Sequence, residues 1–354
     1  MRVLLAPIET AGVAGALARA LRRRGHDAEL AVFVPHPFGY PHDRTVGTGY
    51  ARRAAAGLGA PLRHDVLHWQ FGTTLLEFVD AAWARPFRRT QVMHYWGDDV
   101  RTREVTARLH PGRARAFDAM ARDDRTVRRR LRLAGRLCAA ALVSDLELAA
   151  HARPWFRAVY VLPTPLELPL DVGPAPPPLA GEEPIVLHAP SDAAIKGTRE
   201  IGAALEAVAA RRPLRPRLVR GVARPDVLAE VARADVVVDQ LNSDTPGVFA
   251  LEAMALSVPV LVEYDPAMLA PFARAAPLVR VSPATLEAEL ERLLDDGERR
   301  GRLGAAGAAY VAGVHDADRV AVALEHVYAH AAGRPRGLFE AGPEGVRQLR
   351  SPLP

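Results

Sequence analysis

Cysteine, lysine and long apolar runs are nearly absent from this chain of 354 residues, and each absence excludes a class of protein. The single cysteine, Cys138, rules out an intrachain disulfide, and no cysteine and histidine cluster has zinc-site spacing. Arg, Asp or Pro interrupts every apolar stretch before it reaches the roughly 18 to 20 residues that span a bilayer. With 49% hydrophobic and 25% charged residues, the chain is typical of a soluble globular protein.

Targeting signals are equally scarce. The stretch MRVLLAPIETAGVAG passes from one basic residue into a short strand-like run, without the features of a signal peptide. We expect a cytoplasmic protein, with peripheral contact to the inner face of the membrane left open. The net charge of +5 admits nucleic acid, a membrane face or a phosphorylated ligand as partner, and charge alone does not rank them.

The densest arginine run, residues 122–136, overlaps an apolar stripe at helical spacing. We interpret it as a helix with one buried face and one solvated basic face, in preference to a surface for nucleic acid or anionic lipid. Nucleic acid is therefore the disfavoured partner.

Short apolar strands alternate with helical segments along most of the chain. That alternation predicts parallel sheets with crossover helices, the pattern of α/β proteins. The predicted strands cover residues 2–6, 28–34, 65–69, 90–96 and 140–144, and then 184–189, 217–221, 234–240 and 258–264.

The length of the chain exceeds what one hydrophobic core usually serves, so two domains are expected. A proline-dense stretch without helical period separates two runs of alternation and predicts a semi-rigid connector. The predicted boundaries are 1–164 for the first domain, 165–183 for the linker, 184–314 for the second domain, 315–333 for a helix and 334–354 for a tail, which we expect to be an extended arm or disordered.

The opening strand, helix and strand are typical of a nucleotide-binding fold, although G-x-G-x-x-G spacing is missing. Thr10 can cap the helix that follows the first strand, and Gly25 can end it. Gly12 lies in the turn between strand and helix, and we include it among the candidate ligand-binding residues.

The only lysine, Lys196, lies in the stretch HAPSDAAIKGT, where a predicted buried strand passes into a helix from about Thr198. The amide groups and dipole at a helix N-terminus favour an anion, and a compact ammonium suits a phosphate. Ser191, in the same loop, is a further candidate contact. A capped helix with a solvated lysine explains the position equally well.

A second polar loop follows the predicted strand at 234–240. Gly247 permits close approach of the backbone to a ligand, and its amide with those of Val248 and Phe249 opens another helix N-terminus. Glu252, one turn later, can accept hydrogen bonds from ribose hydroxyls. The alternative is that Glu252 only stabilises the first helical turn.

Together, HAPSDAAIKGT and PGVFALEAMALSVPV resemble the donor-binding half of retaining glycosyltransferases of family 4. The resemblance implies the GT-B fold, two Rossmann-like α/β domains whose parallel sheets face each other across a cleft. It implies a nucleotide-sugar donor in the C-terminal domain, with Lys196 on the diphosphate and Glu252 on the ribose. It also implies that the helix over 315–333 returns to the N-terminal domain, and that no catalytic metal or cofactor is needed beyond the donor.

The stretch VMHYWGDDVR resembles the family's H-x-H-G-S-D-x-R motif at a strand end. His94 and Asp99 match in type, whereas Trp96 replaces a histidine and Asp98 a serine. The match implies that His94 is directed at the transferred sugar and that Asp99 belongs to the catalytic residues. A buried structural histidine is the alternative for His94, and His68 is a weaker candidate of the same kind.

Three positions depart from the family's pattern. Asp244 stands where the E-x7-E pair has its first glutamate, so a shorter acid would meet the sugar hydroxyls. Ser257 replaces the glycine of A-x-G-x-P, and no arginine precedes Lys196 in its loop. These departures leave the identity of the sugar open.

The sequence therefore predicts a glycosyltransferase that moves a hexose from a nucleoside-diphosphate sugar to an acceptor, with retention of configuration implied by the resemblance alone. A lipid-linked, polysaccharide or small natural-product acceptor would fit. Two alternatives stay open: a nucleotide-sugar 2-epimerase of the same fold, and a non-catalytic basic protein that binds nucleic acid or anionic membrane.

Overall fold

The computed structural model describes residues 1–109, 123–170, 183–194 and 196–350. These form two compact units, Met1–Pro165 with Ala317–Pro354 as unit 1 and Leu166–Asp316 as unit 2. Most of the predicted linker at 165–183 lies outside the described residues.

Fourteen strands are found in the described part of the chain. They are β1 (Arg2–Ala6), β2 (Asp27–Val32), β3 (Arg44–Thr45), β4 (Val66–Gln70), β5 (Thr90–His94), β6 (Ala140–Val143), β7 (Ala158–Val161), β8 (Ile185–His188), β9 (Arg215–Leu218), β10 (Val236–Val238), β11 (Val260–Val262), β12 (Val279–Arg280), β13 (Gly337–Gly342) and β14 (Gly345–Leu349).

Twelve α-helices connect them within the same described ranges. They are α1 (Val13–Arg23), α2 (Tyr50–Arg63), α3 (Val79–Trp83), α4 (Arg103–Leu109), α5 (Asp124–Leu137), α6 (Leu146–Ala152), α7 (Thr198–Ala209), α8 (Arg224–Val231), α9 (Val248–Ala255), α10 (Leu286–Asp295), α11 (Gly297–Val314) and α12 (Ala317–Ala332).

Unit 1 is built on a nine-stranded sheet in the order β14-β13-β7-β6-β5-β4-β1-β2-β3. Every neighbouring pair is parallel except β13 with β14. Parallel pairing requires a crossover between strands, and the helices that the alternation predicted supply it. The last helix, α12, packs against α1 and buries Val320, Leu324 and Val327 in the core of this unit.

Unit 2 has a five-stranded sheet in the order β12-β11-β10-β8-β9, and all of its pairs are parallel. Successive residues of its strands point to opposite faces of the sheet. On β10, Val236 and Val238 share a core with α7 and α10, whereas Val237 belongs to the core of α8 and α9. Strands covered on both faces explain why these segments are continuous valine and leucine runs.

The structure corrects the sequence-based expectation of an extended arm or disorder over 334–354. Residues Gly337–Leu349 form a β-hairpin, and β13 pairs with β7. Leu338, Phe339 and Ala341 are buried, and the Phe339 ring stacks on Tyr160 at 5.2 Å. The hairpin is stable because it buries this apolar face on a sheet that already exists, which its Gly, Pro and Arg content does not reveal.

The arginine-rich segment forms α5, with Val127, Leu131 and Ala134 buried as the stripe predicted. The first part of the predicted segment, residue 122, lies outside the described residues. Arg128 and Arg130 of the basic face are engaged with Glu104, Asp124 and Glu77. Much of the positive charge of this helix is thus balanced within the chain.

Candidate active site

The lysine of unit 2 lies in the loop between β8 and α7. Gly197, with φ of 69°, forms the left-handed N-cap of α7 immediately after it. The Lys196 Nζ lies 2.7 Å from Asp239 Oδ1 and 2.6 Å from Gln240 Oε1, at the end of β10. Its side chain is 12% exposed and that of Asp239 is fully buried. The ammonium is therefore held in a fixed place by the buried carboxylate.

Asp239 also connects this lysine to the start of α9. Its Oδ2 accepts from the Gly247 amide at 3.0 Å, while Oδ1 holds the ammonium. A Cβ at Gly247 would lie 3.0 Å from the Lys196 Nζ, so a larger residue here would displace the end of the lysine. The next amides, those of Val248 and Phe249, begin α9 and have no carbonyl one turn earlier to bond. These amides and the ammonium, whose charge Asp239 balances, are groups that can bind an anion.

Glu252, one turn into α9, is 5% exposed and pairs with Arg224, whose Nε lies 2.6 Å from its Oε1. Burial raises the pKa of the Glu252 carboxyl, the charge of Arg224 opposes this, and the nearby charge of Asp239 adds to the rise. Arg224 begins α8. A carboxylate held by one arginine keeps lone pairs for a second donor, such as a hydroxyl.

The loop after β10 is anchored by Gln240. This amide accepts from Lys196 through Oε1 and donates through Nε2 to the Thr245 carbonyl at 2.5 Å. Asp244, the predicted sugar contact, is buried in this loop. Ser191, by contrast, is exposed at the start of its own loop. The structure thus gathers Lys196, Gly247 and Glu252 around Asp239, and gives Ser191 no such setting.

The sequence analysis did not single out four residues that hold the candidate site residues in place: Asp239, Gln240, Arg224 and His188. His188 Nδ1 lies 2.9 Å from the Val238 carbonyl and its Nε2 2.9 Å from Thr198 Oγ1. Burial lowers the pKa of His188, so the neutral ring donates to the carbonyl and accepts from the threonine. It joins the ends of β8 and β10 to the start of α7, which positions the lysine loop.

In unit 1, His94 ends β5 and lies in a buried polar chain. Its Nδ1 is 3.1 Å from His68 Nε2, and His68 Nδ1 is 2.8 Å from the hydroxyl of Tyr328 on α12. His94 is 1% exposed, and its ring stacks on Trp96 with centroids 3.9 Å apart. Burial lowers the pKa of His68 to about 3, and burial with the neighbouring His68 lowers the pKa of His94 well below its ordinary value. Both rings are therefore neutral at pH 7.

Asp99, the predicted catalytic acid of this unit, shapes the loop after β5. Its Oδ1 accepts from the Trp96 amide at 3.0 Å and the Gly97 amide at 2.8 Å. The Trp96 indole in turn donates to Gln70 Oε1 at 2.8 Å. The contacts of Asp99 thus position the tryptophan on which His94 stacks.

Gly12 lies at the N-terminus of α1 with φ of 81°, and an added Cβ would meet the Tyr40 ring at 2.8 Å. Thr10, the predicted cap, bonds this end through its backbone carbonyl, which accepts from the Val13 amide at 3.1 Å. Glu9 accepts from the Ala14 amide at 3.3 Å and the Gly15 amide at 2.7 Å. Glutamate reaches these amides because its longer side chain folds back over the turn, so the helix end already holds a carboxylate.

Burial raises the pKa of the Glu9 carboxyl to about 7, against the effect of its hydrogen bonds from the α1 amides. Among the residues that the structure describes, no group of three or more His, Cys, Asp or Glu side chains could hold a metal ion. Nor is any described helix both long enough and apolar enough to cross a bilayer.

Comparison with known proteins finds likeness at the level of structure only. No family model matches the chain, and no curated protein matches it. Solved structures do, at high probability and over nearly their whole length.

Sucrose-phosphate synthase from Thermosynechococcus elongatus has a TM-score of 0.65 and 16% identity, covering 93% of this chain and 99% of that one. Anabaena HepE in complex with UDP-glucose has a TM-score of 0.62 and 14% identity, covering 94% and 99%. A UDP-N-acetylglucosamine 2-epimerase has a TM-score of 0.55 and 13% identity, covering 93% and 96%. At these identities the likeness establishes the fold, which is GT-B.

Proposed function

We propose that this protein is a glycosyltransferase that binds a nucleoside-diphosphate sugar in unit 2 and transfers its hexose to an acceptor. The observation that carries the proposal is the fixed ammonium of Lys196 beside the Gly247 backbone at the start of α9. A lone lysine directed at a helix N-terminus is suited to a diphosphate, and HepE, which shares the fold, was solved with UDP-glucose.

The chemistry assigned to this site is stabilisation of the leaving group. As the sugar bond breaks, negative charge grows on the diphosphate oxygen. Lys196 and the amides of Val248 and Phe249 offset that charge without reorganising, because Asp239 and the helix already hold them in place. Losing one such contact typically costs about 3 to 4 kcal/mol in the transition state.

Glu252 is proposed to accept a hydrogen bond from the nucleotide ribose, with Arg224 holding its Oε1 in place. Asp244 and Ser191 are proposed as further contacts to the donor, and Gly12 as a close approach of backbone to ligand in unit 1. His94 is proposed to bond a substrate oxygen, with Asp99 positioning its loop.

Family 4 membership, retention of configuration and independence of metal ions belong to the same proposal and rest on the sequence resemblance, whereas peripheral contact with the membrane rests on the net charge of +5. EDTA should then leave donor binding unchanged.

The test is a thermal-shift screen of the full chain against UDP, GDP, ADP, dTDP and their common sugars. A ligand at about 100 times its dissociation constant stabilises a fold by roughly 2.7 kcal/mol. One nucleotide should raise the melting temperature of the wild type, and Lys196→Ala and Glu252→Ala should lose most of that rise. Arg199→Ala is the matched control, because Arg199 is 91% exposed and pairs with its neighbour Glu200. Equal shifts in all variants would refute the assignment of the site.

Because a UDP-N-acetylglucosamine 2-epimerase has the same fold, epimerisation of a nucleotide sugar is the second candidate function. Incubation with the nucleotide sugar found in the screen distinguishes the two. An epimerase returns the sugar attached to the nucleotide and needs no acceptor, whereas a transferase releases the nucleoside diphosphate as it passes the hexose to an acceptor or, without one, to water. A basic binding protein would instead bind DNA, RNA or anionic vesicles with steep salt dependence, and Lys196→Ala would leave that binding unchanged.

A further inference from the structure

The buried chain of Tyr328, His68 and His94 has one arrangement of protons that satisfies every group in it. The Tyr328 hydroxyl lies 2.8 Å from His68 Nδ1, and His68 Nε2 lies 3.1 Å from His94 Nδ1. Tyr328 is 2% exposed, His68 fully buried and His94 1% exposed, so water does not replace these partners. Which ring nitrogen carries the proton follows from the network.

The hydroxyl of Tyr328 decides which group donates and which accepts in each of these hydrogen bonds. Burial raises the pKa of Tyr328 well above its ordinary value of 10.0, so the hydroxyl keeps its proton. Across the described residues, its one hydrogen-bond partner is His68 Nδ1, so the proton is satisfied only if that nitrogen is an acceptor. Neutral His68 then carries its own proton on Nε2 and donates to His94 Nδ1.

We infer that Tyr328 fixes the tautomer of His94 through His68, so that His94 offers an Nε2–H donor and has no lone pair for a substrate. His68 and Tyr328 are positioning residues in this scheme. Their effect on a reaction rests on the proposed function, but the tautomer itself does not depend on it. The further consequence is that His94 polarises or orients a substrate oxygen by donating to it, and does not act as a general base.

The surroundings hold the ring in this orientation. Trp96 stacks on His94 with the planes 26° apart, and its indole is bonded to Gln70, the neighbour of His94 across β4 and β5. The His68 ring is also near-parallel to that of His94, at 13°. Reversing the tautomers would leave the Tyr328 proton buried without an acceptor, which proteins avoid.

The experiment is nuclear magnetic resonance of the full chain labelled with ¹⁵N-histidine, without ligand, using long-range proton to nitrogen correlations that distinguish the two tautomers. His68→Gln and His94→Gln assign the two rings by loss of their signals. We expect the Nε2–H form for both rings in the wild type. An Nδ1–H signal from either ring would overturn the inference.

Tyr328→Phe removes the hydroxyl and keeps the ring, so we expect His68 and His94 to change from one tautomer to a mixture. Tyr160→Phe is the matched control, because the Tyr160 hydroxyl lies 2.8 Å from a different histidine, His330, in the same unit. It should leave both signals unchanged. A single Nε2–H form persisting in folded Tyr328→Phe would show that Tyr328 does not set the tautomer. If that variant fails to fold, the wild-type spectrum decides.

The same experiment separates this inference from the proposed function. Nε2–H on both rings in a chain that binds no nucleotide would leave the inference standing and refute the transferase proposal. Nδ1–H on His94 in a chain that binds a nucleotide sugar would refute the inference alone.

Discussion

At the scale of single residues, the tightest part of the candidate site is the approach of Gly247 to the Lys196 ammonium. Gly247 has φ of −85° and ψ of 175°, which alanine adopts without strain. An alanine Cβ would, however, lie 3.0 Å from Nζ and 3.3 Å from Asp239 Oδ2. The flexible end of the lysine can move, so the fold tolerates the change while the anion site is distorted.

We therefore expect Gly247→Ala to weaken binding of the donor nucleotide by about tenfold or more, a loss of about 1.4 kcal/mol. Isothermal titration calorimetry measures this directly. Gly202→Ala is the control, because Gly202 lies inside α7 with no atom within 4 Å of the added Cβ. It should bind normally and be more stable by about 0.5 to 1 kcal/mol. Unchanged affinity in Gly247→Ala would argue against a ligand at this backbone.

Ser257 stands where the family pattern has glycine, and the structure shows the physical reason for that preference. Its φ is +61°, the left-handed region that side chains disfavour. It follows the C-cap of α9, where the Ser257 amide bonds the Met254 carbonyl and the Val258 amide bonds the Ala253 carbonyl. This is a Schellman motif, whose left-handed residue is usually glycine.

We expect Ser257→Gly to raise the free energy of unfolding by about 1 kcal/mol, because it removes the strain of a Cβ in this conformation. Ser257→Ala keeps the Cβ and should gain nothing, which makes it the control for loss of the hydroxyl. Denaturant unfolding of the three proteins compares them. A gain in both variants would mean that the hydroxyl, and not the backbone, is the source of the cost.

The sequence could indicate the candidate ligand contacts, but not the residues that hold them in place. Lys196 and Gly247 were predictable because each stands at a strand-to-helix junction with a local pattern. Asp239 and Gln240 contact Lys196 across 43 and 44 residues, and Arg224 reaches Glu252 across 28. Such pairings depend on strand order in the sheet, which no local pattern contains.

At the scale of elements, the buried apolar runs predicted most strands of both sheets, since strands covered on both faces must be continuous hydrophobic segments. The strands missed were the short β3 and β12, the strand β7 and the hairpin of β13 and β14. The edge strands β3, β12 and β14 need fewer buried residues, whereas β7 is a fully buried apolar run between β6 and β13 that the pattern alone did not single out. Leu338 and Phe339 are the only large apolar side chains in β13, too few to outweigh the glycines and prolines around them.

The N-terminus of α1 gives a pH dependence that belongs to this scale. Glu9 is 5% exposed, and burial raises its pKa to about 7 from the ordinary 4.5. Between those values the folded chain holds a proton that the unfolded chain has released, so stability falls as pH rises. The fall amounts to about 3 kcal/mol in total.

Glu9→Gln cannot ionise, so its stability should decline less than that of the wild type between about pH 5 and pH 8, by about 3 kcal/mol. Chemical unfolding across this pH range measures the difference. Glu230→Gln is the control, because the hydrogen bond from Arg217 lowers the pKa of Glu230, the opposite direction to Glu9. If the stability of the wild type and of Glu9→Gln changed with pH in the same way, folding would not raise the pKa of Glu9.

At the scale of the whole molecule, the end of the chain completes the unit that its beginning starts. Helix α12 packs on α1, the Tyr328 hydroxyl of this helix bonds His68, and β13 extends the sheet beyond β7. Unit 1 is therefore discontinuous in sequence, whereas unit 2 is a single segment, Leu166–Asp316. Removing residues 317–354 should damage unit 1 and spare unit 2.

Tryptophan fluorescence can observe this selectively, because Trp69, Trp83, Trp96 and Trp155 all lie in unit 1. Truncation after Asp316 should shift the emission to longer wavelength as the fully buried Trp69 becomes hydrated. It should also abolish the thermal transition of that unit while nucleotide binding to unit 2 survives. Truncation after Gly333 removes only the hairpin and should give a smaller loss. Truncation after Arg350 should change nothing, since it leaves both strands intact. Native emission after removal of α12 would mean that unit 1 folds without this helix, and that Tyr328 is not needed to form its core.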